Sequence, residues 1–316
     1  MVKDIMKRLD LKLHFFCNNN CRFCVQAFKR NVYYKSKEKI FEELEDGQRD
    51  GAEEVVLTGG EPTLHKDIIE IVKYARELGY KNIQLQTNAR MLSNESFLKK
   101  LVEAGLTEVS PALHGHKKEI HDYLTRAPGS FEQTIKGILN AREYGLRIVT
   151  NSVITKPNFR YLENLANLLI RLDVYSYQLA FVHAAGSAWY LFEQIVPRIS
   201  LVANYLHKGL ELGEQVGIIS MAEAMPLCYM QGYERFVSEL YYIPQETEVW
   251  DAAWKIENYK KARIEEGKAK APWCKKCIYY YICEGTWKEY FAIYGFEELI
   301  PIEGEYIIDI KKLINK

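Results

Sequence analysis

Three cysteines lie close together near the start of the chain, Cys17, Cys21 and Cys24 in the run CNNNCRFC. Thiolates at this C-x3-C-x2-C spacing can hold three corners of an iron-sulfur cube and leave one iron without a protein ligand, which makes that iron a reactive position. The same residues also suit a zinc site, or three buried thiols with no metal, since cysteine is among the residue types most often found inside. A second group lies toward the other end: Cys274, Cys277 and Cys283 in PWCKKCIYYYICEG, with Cys228 upstream in AMPLC. These four complete the cysteine inventory, and a full shell of four thiolates suits either a [4Fe-4S] cluster with no open iron or a structural zinc. Cysteines divided three and four read as metal ligation in a reducing compartment rather than as disulfides. Between the two sets, EEVVLTGGEP ends a β-branched run in Gly59-Gly60-Glu61-Pro62. Glycines there let the backbone approach a ligand, and Glu61 offers an acceptor for a ligand ammonium. Read alone, GGEP is also an ordinary turn between strand and helix.

The triplet, with the aromatic Phe23 just before its last cysteine, and the glycine-rich segment after the second strand together resemble the radical S-adenosylmethionine (SAM) enzymes. The resemblance implies that Cys17, Cys21 and Cys24 ligate a catalytic [4Fe-4S] cluster whose unique iron is chelated by SAM. Electron transfer from the cluster would then cleave SAM to a 5′-deoxyadenosyl radical that abstracts hydrogen from a substrate. The protein would supply position and electrostatics. It also implies SAM contacts from Phe23, from Gly59, Gly60, Glu61 and Pro62, and from the ends of later strands. Gln86, Thr87 and Asn88 in QLQTNAR would line the SAM pocket, or else act as turn and cap residues. His114 in ALHGH sits where the family often places a ribose contact, and is otherwise a solvated turn residue. Arg126 in HDYLTRAPGSF resembles a position that pairs with the SAM carboxylate; the plain alternative is a surface arginine before a helix capped by Ser130. In TNSVI one of Asn151 and Ser152 must point inward, as a ribose contact or as an internal polar group satisfied by backbone.

To hold these residues the chain offers strand-like runs at 9–16, 54–57, 82–86, 108–113, 147–154 and 176–182, alternating with amphipathic segments at 39–49, 68–78, 95–104, 131–144 and 161–172. Such alternation predicts a parallel sheet with right-handed crossovers, and the cysteine loop and GGEP both follow strands, where sites on parallel sheets gather. The fold class is therefore α/β, a partial (β/α)6 barrel with a small C-terminal auxiliary iron-sulfur domain. The boundary is expected at 220/221. The loop HAAGSAWY, 183–190, leaves the sixth strand near the mouth and is the expected substrate contact. The aromatic stretch YYIPQETEVWDAAW is expected to pack across the open side, and the tyrosines at 279–281 to fill core and interface.

The C-terminal set resembles the auxiliary-cluster extensions called SPASM and twitch domains, which favours iron-sulfur over zinc. Trp287 stands where the fuller SPASM pattern has a further cysteine, so the resemblance implies one auxiliary [4Fe-4S] cluster. The molybdenum-cofactor cyclase of the superfamily has a three-cysteine auxiliary site and ends in a glycine pair, whereas this chain ends KKLINK. Lysine and arginine number 42 and so do aspartate and glutamate, a balance that gives no sign of a general nucleic-acid surface. The apolar-leaning stretch at 175–196 carries too many polar residues for a membrane span, and no signal peptide is visible, so the expected location is the cytoplasm. The expected activity is radical SAM hydrogen abstraction from a peptide or protein, supplied with electrons by a reductant protein such as a flavodoxin or ferredoxin. The alternative substrate is a small molecule, oxidised or rearranged in a cofactor or natural-product pathway. A rival from another class is a non-catalytic zinc-stabilised binding module, which leaves the N-terminal triplet and GGEP unexplained.

Overall fold

Seven parallel strands run side by side in chain order: β1 (Arg8–His14), β2 (Glu54–Gly59), β3 (Asn82–Thr87), β4 (Glu108–Pro111), β5 (Arg147–Ile154), β6 (Ser176–Phe181) and β7 (Ile219–Glu223). The structure is a computed structural model and describes residues 7–241, 247–251, 255–310 and 313. Helices between the strands, among them Lys37–Arg49, Ile68–Glu77, Glu95–Ala104, Ser130–Glu143, Leu162–Arg171 and Ile199–Gln215, cover one face. This is the α/β partial barrel expected, with a difference at each edge. β7 adds a seventh parallel strand, and the expected boundary at 220/221 falls inside it. At the opposite edge β8 (Thr247–Trp250) pairs parallel with β1, and β9 (Lys255–Ile256) pairs antiparallel with β8. Of the aromatic stretch expected to lie across the open side, Thr247–Trp250 extends the sheet at this edge as β8, and residues 242–246 and 252–254 lie outside the described residues.

Side-chain alternation gives the sheet two unlike faces. In β1 the residues Leu9, Leu11 and Leu13 are fully buried toward the helices, where they join Ile40 and Leu44 in the core, while Arg8, Asp10 and Lys12 face the other way. A strand of a doubly covered parallel sheet would be apolar on both faces. The second face here carries polar groups: Lys12 bound to Asp251, Thr58 to Gln86, Gln84 and Arg147 to Glu108, and Gln178 to Glu223. That face is the inner wall of the barrel. Among the described residues no helix is long and apolar enough to cross a membrane.

Beyond the sheet, β10 (Lys268–Ala269) and β11 (Thr286–Trp287) form a short antiparallel pair that closes the loop carrying Cys274, Cys277 and Cys283. Arg263 ties this unit to the barrel, with its guanidinium on Glu223 at 2.9 Å, Glu239 at 2.8 Å and Glu284 at 3.3 Å.

Candidate active site

The cysteine loop begins where β1 leaves the sheet. Its backbone is pinned by Asn20 N–H to the Thr125 carbonyl at 2.8 Å and Arg22 N–H to the Leu124 carbonyl at 2.9 Å. Arg90, which the sequence reading passed over, donates from Nη1 to the Asn18 carbonyl and to Asn19 Oδ1. Cys17, Cys21 and Cys24 are all free thiols. Burial first, and then the carboxylate of Glu61, pushes the Cys17 thiol up to about 11. Burial, followed by Cys17 and Cys24, raises Cys21 as well. Three thiols that share one loop and repel each other's charge need a cation to become thiolates together, and iron ligation supplies it. The donor set fits an iron-sulfur centre.

Gly59 and Gly60 lie directly on this loop. Gly60 N–H donates to the His14 carbonyl and Glu61 N–H to the Phe16 carbonyl, each at 2.7 Å. A Cβ on Gly59, whose φ is +127°, would fall on the His14 carbonyl oxygen, and one on Gly60 would fall on that of Phe16. The close approach that requires glycine here is to the chain's own cysteine loop. Glu61 also turns to the chain itself. Its buried carboxylate, expected to accept from a ligand ammonium, is taken by Thr63 N–H at 3.2 Å, Thr63 Oγ1 at 2.6 Å, Thr87 Oγ1 at 2.5 Å and Asn88 N–H at 2.7 Å. Burial raises its pKa and these bonds oppose the rise. Pro62 opens the 3-10 turn Pro62–Leu64 that Glu61 caps.

The later strand ends divide. Gln86 is exposed on the inner wall, joined to Thr58 at 2.7 Å. Asn88 reaches the loop, with Nδ2 on Asn18 Oδ1 at 2.6 Å and near Cys17 Sγ at 3.9 Å. The next residue, Ala89, holds a left-handed φ of 61° while fully buried, a strained turn of the kind that gathers at functional sites. His114 is buried, not solvated; Phe23 meets its ring edge-on at 4.7 Å. Its Nδ1 accepts from Val153 N–H at 3.1 Å, which puts the proton on Nε2, and burial, then His121, holds its pKa well below the usual value. Asn158, absent from the sequence reading, clamps the His114 carbonyl at 2.9 Å.

The choice between Asn151 and Ser152 is decided by the alternation of β5. Ser152 points to the helices and donates to the Leu113 carbonyl. Asn151 shares the inner face with Arg147, pairs in register with Gln178, and keeps a buried Oδ1 without a partner. Arg126 is exposed in a left-handed turn at φ 52°, after the helix Lys118–Thr125. The helix that follows is capped by Asp122 rather than Ser130: its carboxylate accepts from Gly129 N–H, Ser130 Oγ and Phe131 N–H at 2.7 to 2.8 Å.

All four remaining cysteines line one pocket, with Lys270, Tyr279, Tyr280 and Gly285. Cys283 Sγ accepts from Leu227 N–H at 3.5 Å and Gly285 N–H at 3.3 Å. Burial raises Cys228, and Cys283, Cys277 and Cys274 add to it. Among the described residues no three His, Cys, Asp or Glu side chains converge on a point that one metal ion would fill. The 183–190 loop bridges the two cysteine regions. Ser187 N–H donates to the Cys24 carbonyl at 3.0 Å, and the His183 ring stacks on Trp287 at 3.8 Å while its Nε2 meets Glu289 at 3.2 Å.

Comparison with known proteins is consistent with this geometry. The model of the radical SAM superfamily matches residues 11–169. Proteins named probable GTP 3′,8-cyclase are similar in sequence: that of Sulfurisphaera tokodaii is 33% identical over 187 residues, 58% of this chain and 59% of the relative. One from Saccharolobus islandicus is 30% identical over 191 residues, 60% of this chain and 61% of the relative. The chain thus spans about three-fifths of the length of the curated relatives it matches. Among solved structures, Streptococcus suis SuiB bound to precursor peptide SuiA superposes with a TM-score of 0.65 at 16% identity, covering 94% of this chain and 75% of that one. Native anSMEcpe with bound AdoMet superposes at 0.64 and 16% identity, covering 96% and 95%. At that identity these two share the fold.

Proposed function

The chain belongs to the radical SAM superfamily, and on that premise we propose that it acts on a small polar molecule of a cofactor or natural-product pathway. The observation that carries this reading is the inner wall toward the carboxyl ends of the strands: Thr58 with Gln86, then Asn151, and Gln178 with Glu223 and Arg263 make it polar and charged, and a buried acceptor, Asn151 Oδ1, is left over. Such a lining suits a compact polar substrate better than a polypeptide segment. The name of the sequence relatives supports the same class and makes GTP the first compound to test. The peptide or protein substrate expected from sequence has weaker support, since the structures of that kind share the fold at 16% identity.

In this reading Cys17, Cys21 and Cys24 hold the catalytic cluster. The backbone of Gly59 to Pro62, with Phe23, Gln86, Asn88, His114 and Asn151, would hold SAM. When bound, cluster and SAM supply one-electron cleavage of SAM and, through it, hydrogen abstraction from a substrate C–H bond. The chain's own work is positional. Glu61 locks the end of β2 to the end of β3, Arg90 and Asn88 hold the loop, and His114 presents an Nε2–H while staying neutral. Arg126, exposed on its turn, would be free to reach the SAM carboxylate, whereas Ser152 is turned to the helices and holds the Leu113 carbonyl. Cys228, Cys274, Cys277 and Cys283 hold one auxiliary [4Fe-4S] cluster, and the hairpin around it forms a unit attached to the barrel through Arg263. The same four thiolates would also suit a structural zinc, and it is the resemblance to the SPASM and twitch extensions that favours a cluster.

The test is anaerobic reconstitution, reduction, and incubation with SAM and GTP, following 5′-deoxyadenosine and nucleotide together. The reading expects 5′-deoxyadenosine above the substrate-free level with a matching loss of GTP or of another small polar compound tried in its place. Stimulation by a peptide and by none of the small molecules would overturn it.

A further inference from the structure

The segment that follows the cysteine loop carries exposed apolar side chains. Val25 directly follows Cys24, and Phe28 and Val32 are 62% and 77% exposed. Phe28 packs edge-on against Tyr190, itself 72% exposed, at 5.5 Å, so the patch continues from the loop onto the turn whose Ser187 is bonded to Cys24. Charge marks the same place. In a chain with equal numbers of cations and carboxylates, residues 11–37 hold six lysines and arginines and no aspartate or glutamate. Lys12, Lys29, Lys35 and Lys37 are paired with carboxylates from elsewhere in the chain. Arg22 and Arg30 form no salt bridge among the described residues: Arg22 lies over the Tyr123 ring at 4.1 Å, and the charge of Arg30 is felt at Cys17 and Cys21.

We propose that Val25, Phe28, Val32 and Tyr190, flanked by Arg22 and Arg30, form the docking surface for an acidic one-electron donor protein. Exposed apolar side chains with two cations outside any salt bridge within three residues of them in the chain are complementary to a partner that is apolar at its centre and acidic at its rim, and the cations would steer encounter in a salt-dependent way. The transfer is balanced: one electron leaves the donor's reduced flavin or iron-sulfur centre, and the centre held by Cys17, Cys21 and Cys24 gains it. The inference rests on the reading that those thiols hold an iron-sulfur centre.

The experiment compares reconstituted protein with the variant Phe28→Asp/Val32→Asp. Calorimetric titration with flavodoxin should show affinity weakened roughly tenfold or more in the variant, and affinity of the unaltered protein falling as salt rises. Substrate-free SAM cleavage should slow to a similar degree when reduced flavodoxin is the donor, and be unchanged with dithionite. Equal flavodoxin affinity in the two proteins overturns the proposal. So does equal slowing with dithionite, or an effect confined to substrate-stimulated turnover, which would assign the patch to substrate. If dithionite drives no SAM cleavage even in the unaltered protein, the catalytic reading fails, while the titration still decides whether this surface binds the donor.

Discussion

Glu61 shows how much one side chain can organise. Its carboxylate accepts four hydrogen bonds from Thr63, Thr87 and Asn88, and Asn88 in turn touches the cysteine loop. Replacing it with alanine would strand those buried donors, at a cost of about 1–3 kcal/mol for the group left unpaired. We expect Glu61→Ala to lower the stability of the protein toward urea even before metal is added, and a variant equal in stability to the parent would contradict the role. The histidines make a second residue-scale case. Burial lowers His14 and His121 from the usual 6.5 to about 4, and His114 lies well below its usual value. Below pH 6.5 the unfolded chain takes up these protons, whereas in the folded chain His14 and His121 do not until about pH 4 and His114 is likewise held neutral well below its usual value. The unfolded state then binds more protons, so stability is lost as pH falls through that window, with a slope of up to about 1.4 kcal/mol per pH unit for each histidine. His121→Asn keeps an acceptor for the His114 N–H without titrating, and denaturation followed from pH 7 to pH 4 should show a shallower loss. An unchanged slope would rule His121 out as a contributor.

Between elements, the contact that matters most is the crossing of Gly59-Gly60 over the cysteine loop. A side chain at Gly60 has no room, because the Phe16 carbonyl occupies its place. Gly60→Ala should therefore displace the loop and reduce the iron bound there although every thiol remains, whereas Gly79→Ala, in open space at φ +93°, should leave iron content intact and cost only backbone strain. Iron assay of the two variants side by side checks this. The sequence made the glycine pair conspicuous but not its purpose, because only the paired arrangement of β1 and β2 brings His14 and Phe16 against it. Six strands were legible, since each pairs with its neighbours in chain order and carries its own alternation. β7 and β8 were not: they are short, and β8 finds its partner at the far edge of the sheet, a contact that local pattern does not encode. Arg90, Asn158 and Asp122 were missed for a similar reason. Each reads as a common polar residue until the fold brings it to the loop, to His114 or to the start of the next helix.

At the scale of the whole molecule, the two cysteine sets do different mechanical work. Cys17, Cys21 and Cys24 lie in one short loop, so a metal there orders local chain. Cys228 follows β7, while Cys274, Cys277 and Cys283 belong to the hairpin, so a metal among them closes a long loop and ties the C-terminal unit to the sheet. Binding energy at such a site becomes folding energy. Reconstitution is expected to give about eight irons per chain, two cubanes' worth, and replacing Cys17, Cys21 and Cys24 by alanine should leave about four in a protein of nearly unchanged melting temperature. Replacing Cys228 and Cys283 should also remove about half the iron, but with a clear drop in melting temperature, and the folded fraction should still cleave SAM under dithionite because its catalytic loop is intact. Zinc retained at the C-terminal cysteines of protein purified without oxygen would sink the auxiliary-cluster assignment and leave the mechanical argument standing. An equal melting temperature in the two sets of variants would do the reverse, showing that Arg263 and its three carboxylates hold the units together without help from metal.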